Sequence, residues 1–358
     1  MKSPVRAAML CLAPLLLASA GAQTLGQTSG PWVLERSGTT AGLRGIHAAG
    51  PGIAWASGAN GTVLRTEDAG YEWQQCAIPP GAEKLDFRGI WAWDANTAIV
   101  MSSGTGDQSR LYKTTDGCAH WQLLFTNPDK DGFWDAIHFS HETGAGALLG
   151  DPVDGRFAFF ETADQGMHWD RDSAKGLEAD GGEGAFAASN TSLVSLARGT
   201  EWIFATGGAG GARIYESLNG ISQNGLFHDW RSIRVPSAPP ADASGIFSLA
   251  FRDSAHGVAV GGDYTRPNES AGTAAWSADG GQTWTAAAKP PHGFRSAVAW
   301  DADAHAWIAV GTNGSDISYD DGKTWLPLDN GNWNALNLPW VVGPGGRIAK
   351  LDPRRLPK

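Results

Sequence analysis

Arginine and acidic side chains at predicted strand starts and in glycine-rich loops are the residues of this sequence best suited to chemistry. A guanidinium group donates a planar pair of hydrogen bonds that fits a carboxylate or phosphate, so arginines converging from separate segments would bind such a group. The alternative is that each arginine pairs with an aspartate of a neighbouring loop, which forms an ion-pair lattice without a ligand. The candidate residues are Arg44, Arg88, Asp107, Arg110, Asp135, Asp151, Asp154, Arg156, Asp263, Tyr264, Arg266, Arg295 and Asn334.

Carboxylates in the same segments allow a second chemistry. Two carboxyl groups ~5 to 9 Å apart can cleave a glycosidic bond, one as the acid and the other as the nucleophile or base. A carboxylate-based glycoside hydrolase is therefore the alternative to a binding protein, and no residue is assigned a catalytic role. The acidic residues that could form such a pair are Asp135, Asp151, Asp154, Asp263 and Glu269.

A repeated motif predicts the architecture that must position these residues. The pattern is Ser or Thr, any residue, Asp, any residue, Gly, two residues and Trp, and repeats of this kind are the signature of an array of similar units. A variant at 114–121 has Cys118 in place of Gly, and a stretched copy at 217–230 carries an insertion. The complete copies occupy residues 66–73, 162–169, 277–284 and 318–325.

The motif has a structural explanation. A short Asp or Asn side chain accepts hydrogen bonds from nearby backbone N–H groups, Gly adopts a positive φ, and the Trp packs back over the turn of a β-hairpin. We therefore interpret the acidic and amide residues of the motif as turn formers rather than catalysts. They are Asp68, Asp116, Asp164, Asn219, Asp279 and Asp320.

Short predicted strands surround each copy of the motif, and no segment has a sustained helical period. The prediction is an all-β fold, a single seven-bladed β-propeller of four-stranded antiparallel blades spanning residues 23–358. The N-terminal strand is expected to join the C-terminal blade, closing the ring and removing exposed sheet edges. The predicted units are 42–79, 84–125, 132–172, 183–236, 244–289, 293–329, and 331–352 together with 31–38.

Propeller topology predicts where the candidate residues lie. The motif turns fall on one rim of the ring, whereas the starts of the inner strands and the loops between second and third strands fall on the opposite rim. Charged loops on a rigid scaffold are where binding sites usually occur. We therefore expect the arginine and aspartate candidates to surround one mouth of the central channel.

Over essentially the whole mature chain, the motifs resemble those of the BNR/Asp-box repeat proteins of the sialidase-like superfamily. The resemblance is to relatives of the photosystem II stability/assembly factor, particularly those of non-photosynthetic bacteria. It implies a protein- or ligand-binding scaffold, and the predicted partner is an envelope protein or a carbohydrate or carboxylate ligand. No photosynthetic role is implied, since no residue indicates a pigment or photosystem partner.

Sialidases of this superfamily use a Tyr nucleophile with a nearby Glu and an arginine in an Arg-Ile-Pro type motif, and that motif is absent here. Tyr264 is the one tyrosine expected on the candidate rim, with Glu269 nearby in sequence. The sequence therefore favours binding over sialidase activity.

The N-terminal segment is typical of an export signal. Lys2 and Arg6 precede an apolar run that ends in small residues, so residues 1–22 are predicted to be a cleaved signal peptide and the mature chain periplasmic or secreted. Without Lys2 and Arg6 the 27 basic residues become 25 against 37 acidic ones, a net charge of −12. This charge and the lack of a basic cluster exclude nucleic acid as the expected partner.

The remaining predictions concern cofactors, spans and cysteines. No mature segment reaches the ~20 apolar residues of a membrane span, and no cofactor motif or metal-ligand spacing occurs, so neither a cofactor nor a metal is expected. The chain is expected to be a monomer.

Cys76 and Cys118 fall near the same rim of adjacent blades, where they form either a disulfide or two buried thiols.

Overall fold

Each complete copy of the motif forms a hairpin turn held by its own side chains. The Thr66 hydroxyl donates to the Asp68 carboxylate at 2.8 Å and accepts from the Gly70 amide at 3.0 Å. Asp68 also accepts from the amide of Glu72 at 2.9 Å, and this backbone donor is the main cause that lowers the pKa of Asp68. Gly70 has a φ of +89°, which only glycine adopts readily. Equivalent bonds surround Asp116, Asp164, Asp279 and Asp320.

The computed structural model describes residues 30–196, 201–222 and 225–357. The predicted signal peptide, residues 1–22, lies outside the described residues. Short 3₁₀ helices occur at Gly106–Gln108 and Pro353–Arg355. In chain order the strands are β1 (Trp32–Glu35), β2 (Leu43–Gly50), β3 (Ile53–Gly58), β4 (Val63–Thr66), β5 (Gln74–Gln75), β6 (Phe87–Ala92), β7 (Ala98–Ser102), β8 (Arg110–Thr114), β9 (Gln122–Thr126), β10 (Trp134–Phe139), β11 (Gly146–Val153), β12 (Arg156–Thr162), β13 (Asp170–Arg171), β14 (Glu183–Gly184), β15 (Leu193–Leu196), β16 (Glu201–Ala205), β17 (Gly207–Gly208), β18 (Arg213–Ser222), β19 (Gly225–Arg234), β20 (Ala241–Phe251), β21 (Gly257–Asp263), β22 (Ala274–Ser277), β23 (Thr285–Ala286), β24 (Ala297–Asp301), β25 (Ala306–Gly311), β26 (Gly314–Ser318), β27 (Leu326–Asp329), β28 (Ala335–Asn337), β29 (Trp340–Val342) and β30 (Ile348–Leu351).

These strands form seven antiparallel blades, which confirms the predicted seven-bladed β-propeller. The inner strands of blades one to seven are β2, β6, β10, β15, β20, β24 and β28, and each is followed outward by the remaining strands of its blade. Blade five is wider, because β17 and β14 extend its sheet beyond β20. Strand β17 comes from the loop between the second and third strands of blade four, so this loop docks on its neighbour.

The ring closes through the two ends of the described chain. Strand β1 pairs antiparallel with β30, with Trp32 opposite Leu351 and Glu35 opposite Ile348. The buried indole of Trp32 donates to the Ser315 hydroxyl of blade six at 3.0 Å. The N-terminal strand thus supplies the fourth strand of blade seven, as the sequence predicted.

Hydrophobic side chains fill the interfaces between adjacent blades. Seven clusters of buried residues occur among the described residues, one at each interface around the ring. The interface between blades one and seven, for example, buries Leu43 and Leu64 against Trp340 and Ile348. Because every blade packs on both neighbours, the core is a continuous ring around the channel.

Cys76 and Cys118 form a disulfide, the first of the two predicted alternatives. Cys118 replaces the motif glycine and has a φ of +67°, the left-handed conformation that the turn requires. The bond joins the outer edge of blade one to the motif turn of blade two. It therefore crosslinks two adjacent blades.

The stretched copy of the motif differs from the predicted turn. Strands β18 and β19 form one long hairpin in which Ser217 lies opposite Trp230 and Asn219 opposite His228. The backbone at Asn219 is therefore extended, and its side chain lies outside the described part of the chain. The inserted residues lengthen the hairpin, so continuous antiparallel strand pairing replaces the compact turn of the other copies.

Candidate functional site

A cavity of about 480 Å³ lies where the inner strands begin, at the end of the channel where the sequence placed the candidate residues. We call it the arginine mouth. Six predicted residues line it, namely Arg44, Arg88, Asp135, Asp151, Tyr264 and Asn334. Aromatic side chains complete the wall, namely Phe133, Phe186, Phe247 and Phe294.

β-Bulges direct side chains of several blades into the arginine mouth. The pairing register shifts between Leu43 and Gly45 in blade one and between Phe87 and Gly89 in blade two. It shifts in the same way around one residue of blade three and one of blade five. A bulge leaves one residue out of the ladder and re-aims its side chain. The four bulge residues are Arg44, Arg88, Asp135 and Phe247, and all four line the cavity.

Arg44 has no fixed counter-ion. Its side chain forms no hydrogen bond or ion pair with any described residue, and its Nε atom is buried without an acceptor. Burial and then the charge of Arg88 lower the pKa of Arg44, whereas Asp86 acts weakly in the opposite direction. Arg88 is partnered, because its Nε donates to Asp86 at 2.8 Å and its Nη1 to the carbonyl of Ala187 at 3.2 Å. Arg44 is therefore the cation available to an incoming anion.

Two acidic residues of blade three lie beside these arginines. Asp135 is 1% exposed, and its Oδ2 atom has no hydrogen-bond partner among the described residues. Burial and then Asp151 raise the pKa of Asp135 well above its usual range, with Arg88 and the backbone N–H groups of Asp151 and Ala187 opposing. Burial also raises the pKa of Asp151, which accepts from the amide of Ala185 at 2.9 Å. Asp135 is therefore held toward its neutral form.

The opposite wall of the arginine mouth is aromatic. The rings of Phe186 and Phe247 stack with centroids 3.9 Å apart, and Phe294 meets Phe247 edge-on at 4.8 Å. Tyr264 is half-exposed and contacts both Phe247 and Phe294. The cavity thus combines a charged wall with an apolar one, a pattern that suits a ligand carrying an anionic group on an apolar body.

Four of the other predicted residues form local pairs outside this cavity. Arg110 lies beside Asp107, with Nη2 and Oδ2 3.7 Å apart. Arg266 bonds Asp263 at 2.9 Å, so both pairs are contacts within one loop and not the predicted pairing with a neighbouring loop. Glu269 also pairs with Arg266 and is not free beside Tyr264.

Arg156, Asp154 and Arg295 are likewise structural in position. Arg156 pairs with Glu178 at 3.2 Å, and Asp154 has a φ of +53° in the turn between β11 and β12. Arg295 follows the sequence pattern of the bulge residues, yet the ladder of β24 with β25 has no register shift. Its fully buried side chain bonds Asp316, with Nε to Oδ2 at 2.7 Å. The expectation that Arg295 faces the arginine mouth was therefore wrong.

A second cavity of about 760 Å³ lies at the other end of the same inner strands. We call it the histidine mouth. The indole of Trp91 is surrounded by His47, His138 and His141, with ring centroids 4.2, 4.8 and 4.8 Å away. The sequence did not predict this cluster. A pattern that could have revealed it is that His47, Trp91 and His138 each directly follow an isoleucine in three successive inner strands.

The three imidazoles do not form a metal site. No group of three or more His, Cys, Asp or Glu side chains in the described part of the chain could hold a metal ion. The amide of Ala92 donates to His47 Nδ1 at 3.3 Å, and His138 Nε2 lies 3.1 Å from the Ser195 hydroxyl. Burial lowers the pKa of His47 to about 3 and that of His138 to about 4. These rings are neutral packing groups near neutral pH.

Within residues 30–196, 201–222 and 225–357, no helix is long and apolar enough to cross a membrane.

Solved structures of other proteins have a similar fold. The chain matches no protein-family model and no curated protein sequence. It resembles "YCF48 bound to D1 peptide" with a TM-score of 0.59 and 15% identity, over 90% of this chain and 96% of that one. For YCF48 from Cyanidioschyzon merolae the TM-score is 0.58 and the sequence identity 17%, over 90% of this chain and 99% of that one. For a GH74 xyloglucanase from Xanthomonas campestris the TM-score is 0.40 and the sequence identity 18%, over 84% of this chain and 52% of that one. The chain is thus a seven-bladed β-propeller, and it shares this fold with YCF48.

We predict different effects on stability for substitutions of Arg295 and Arg44. Arg295→Ala removes the fully buried guanidinium that pairs with Asp316 and leaves that carboxylate only the partly exposed His292, so the free energy of unfolding should fall by about 3–5 kcal/mol. Arg44→Gln removes a partly buried cation that pairs with no described residue, so stability should stay unchanged or rise. Urea denaturation at neutral pH measures both. A loss for Arg44→Gln as large as for Arg295→Ala would show that Arg44 is a structural residue.

We also predict that His47 makes the fold acid-sensitive. Its pKa is about 3 when folded and near 6.5 when unfolded, so the unfolded chain binds more protons between these values. The stabilisation is present above pH ~6.5 and is lost as pH falls toward 3, by about 2–3 kcal/mol at pH ~4.5.

His47→Asn is the matched control for this prediction. Asn337 of blade seven already accepts the amide of Ala48 at 2.9 Å, as His47 accepts that of Ala92. Urea denaturation at pH ~7 and ~4.5 should show a smaller difference for the variant. An equal pH dependence in both proteins would contradict the role of His47.

Proposed function

We propose that the chain is an exported scaffold that binds a partner protein, or a carbohydrate or carboxylate ligand, through the arginine mouth. The observation that carries the proposal is Arg44, a cation in the cavity wall with no hydrogen bond or ion pair to any described residue. Burying such a group costs free energy unless an anion compensates it. A carboxylate presented by a partner would supply that anion.

The shape of the arginine mouth supports a docking role. Its charged side comes from blades one to three, and its aromatic side includes Phe247 and Phe294 of blades five and six. Side chains fixed by separate rigid blades lose little entropy when a partner binds. An aromatic surface beside an arginine is also the composition that dominates binding energy at protein interfaces.

The structural neighbours support a protein partner. One YCF48 structure has a bound D1 peptide, which shows that a propeller of this fold can hold a peptide in that protein. Because the identity to this chain is 15%, the partner itself does not transfer. Export, and hence an envelope partner, is proposed on the predicted signal peptide at residues 1–22.

The proposal predicts a partner that depends on the arginine mouth. Tagged mature protein would be used to capture proteins from the native envelope fraction, beside an Arg44→Gln, Arg88→Gln double variant. A protein held by a guanidinium pair should be enriched at least about tenfold by the unaltered protein over the variant, since charge-assisted hydrogen bonds contribute about 1.5–3 kcal/mol each. Quantitative mass spectrometry measures the enrichment.

Arg354→Gln is the control, because Arg354 is exposed at the far C-terminal end and lies outside the arginine mouth. It should retain every partner that the unaltered protein retains. Identical captures by the unaltered protein and the double variant would contradict docking at this mouth.

A glycoside hydrolase is the second candidate, and one observation favours it. Asp135 and Asp151 line the same cavity and form no ion pair with another described residue, and burial raises both pKa values, as it does in glycosidase acids. Asp154 and Asp263 do not line that cavity. Hydrolysis of a panel of 4-methylumbelliferyl glycosides that is lost in both Asp135→Asn and Asp151→Asn would establish this alternative.

A further inference from the structure

Asp135 occupies an unusual position for an acidic residue. It is the bulge residue of β10, it lines the arginine mouth, and it is almost fully buried. Its Oδ2 atom has no hydrogen-bond partner among the described residues. An unpaired buried polar atom of this kind costs free energy, so its retention in a cavity wall indicates a partner that is supplied from outside.

The surroundings favour the neutral carboxylic acid at Asp135. Asp151 of β11 adds a second carboxyl group, while the nearby Arg88 of β6 is already held by Asp86 and the Ala187 carbonyl. Arg44 of β2 lines the same cavity. A neutral carboxyl group carries one O–H donor, whereas a carboxylate can only accept. The unpartnered atom of Asp135 can therefore donate to a ligand.

We propose that protonated Asp135 is the specificity-determining residue of the arginine mouth, donating its O–H to one oxygen of a ligand carboxylate whose charge is met by Arg44. This inference rests on the proposed function and specifies its ligand class, a carboxylate joined to an aromatic or other apolar group. Phe247 and Phe294 provide the surface for the apolar part. One free guanidinium and one neutral acid match a monoanion better than a phosphate dianion.

The arrangement makes binding depend on pH. If Asp135 loses its proton, two anionic carboxylates face each other and the donor is lost, so affinity falls as pH rises through the pKa of Asp135. The charged groups that act on Asp135 are Asp151 and Arg88, while Arg44 lines the same cavity. Deprotonation of Asp151 acts in the same direction, because it adds a second negative charge to the same wall.

Calorimetric titration with 3-phenylpropionate tests the proposal, with 3-phenylpropionamide as the uncharged control ligand. The titrations would run from about pH 5.5 to about pH 9, where the probe remains ionised. The unaltered protein should bind the carboxylate at least about tenfold more tightly than the amide at low pH. Its affinity should then fall by up to tenfold per pH unit above the pKa of Asp135.

Variants of Asp135 and Asp151 distinguish the O–H donor of Asp135 from the carboxyl group beside it. Asp135→Asn keeps a neutral donor, so it should bind with a weaker pH dependence, whereas Asp135→Val lacks the donor and should bind at least about tenfold more weakly at low pH. Asp151→Asn should retain the titration of Asp135. Thermal unfolding verifies that each variant is folded. An unchanged pH profile in Asp135→Asn, or full affinity in Asp135→Val, overturns the proposal.

The titration with 3-phenylpropionate tests the ligand class and the envelope capture tests the docking role, so each can give a negative result without the other. If 3-phenylpropionate does not bind the unaltered protein at any pH while the capture still depends on Arg44 and Arg88, the ligand class is wrong and the docking role stands. If the probe binds as expected but no captured protein depends on those arginines, the arginine mouth holds a small carboxylate and the protein-docking role fails.

Discussion

The closed ring of seven blades is the constraint on which the rest of the structure depends. Pairing of β1 with β30 completes blade seven, and buried hydrophobic residues then fill each interface between neighbouring blades. Both channel mouths are lined by residues of several blades, so neither cavity exists unless every blade keeps its place. The disulfide between Cys76 and Cys118 reinforces this order at one interface.

The stability of the rigid ring offsets the free-energy cost of the unpartnered charged and polar groups at the arginine mouth. Bulges in the inner strands turn Arg44, Arg88 and Asp135 toward the channel. Among the described residues, Arg44 has no ion-pair partner and one oxygen of Asp135 has no hydrogen-bond partner, and both features oppose folding. Where Arg295 instead meets Asp316, the same kind of side chain becomes structural. Partnering, rather than residue type, distinguishes the binding group from the structural one.

The sequence predicted the fold well because the repeat is local. The hydrogen bonds around Asp68 involve residues two to four positions apart, so the motif specifies its own turn. The arginine mouth was predicted only in part, because convergence depends on bulges that shift the register by one residue. Arg295 follows the same sequence pattern as Arg88 without such a shift. The cluster around Trp91 was missed because its members come from separate blades.

Site-specific photo-crosslinking in the native organism tests docking at the arginine mouth most directly. A benzoylphenylalanine would replace Tyr264, half-exposed on the wall of this mouth, or Tyr71, which is 94% exposed in a motif turn. The account predicts a crosslinked partner from position 264 and none from position 71. A partner captured equally from both positions, or from position 71 alone, would contradict it.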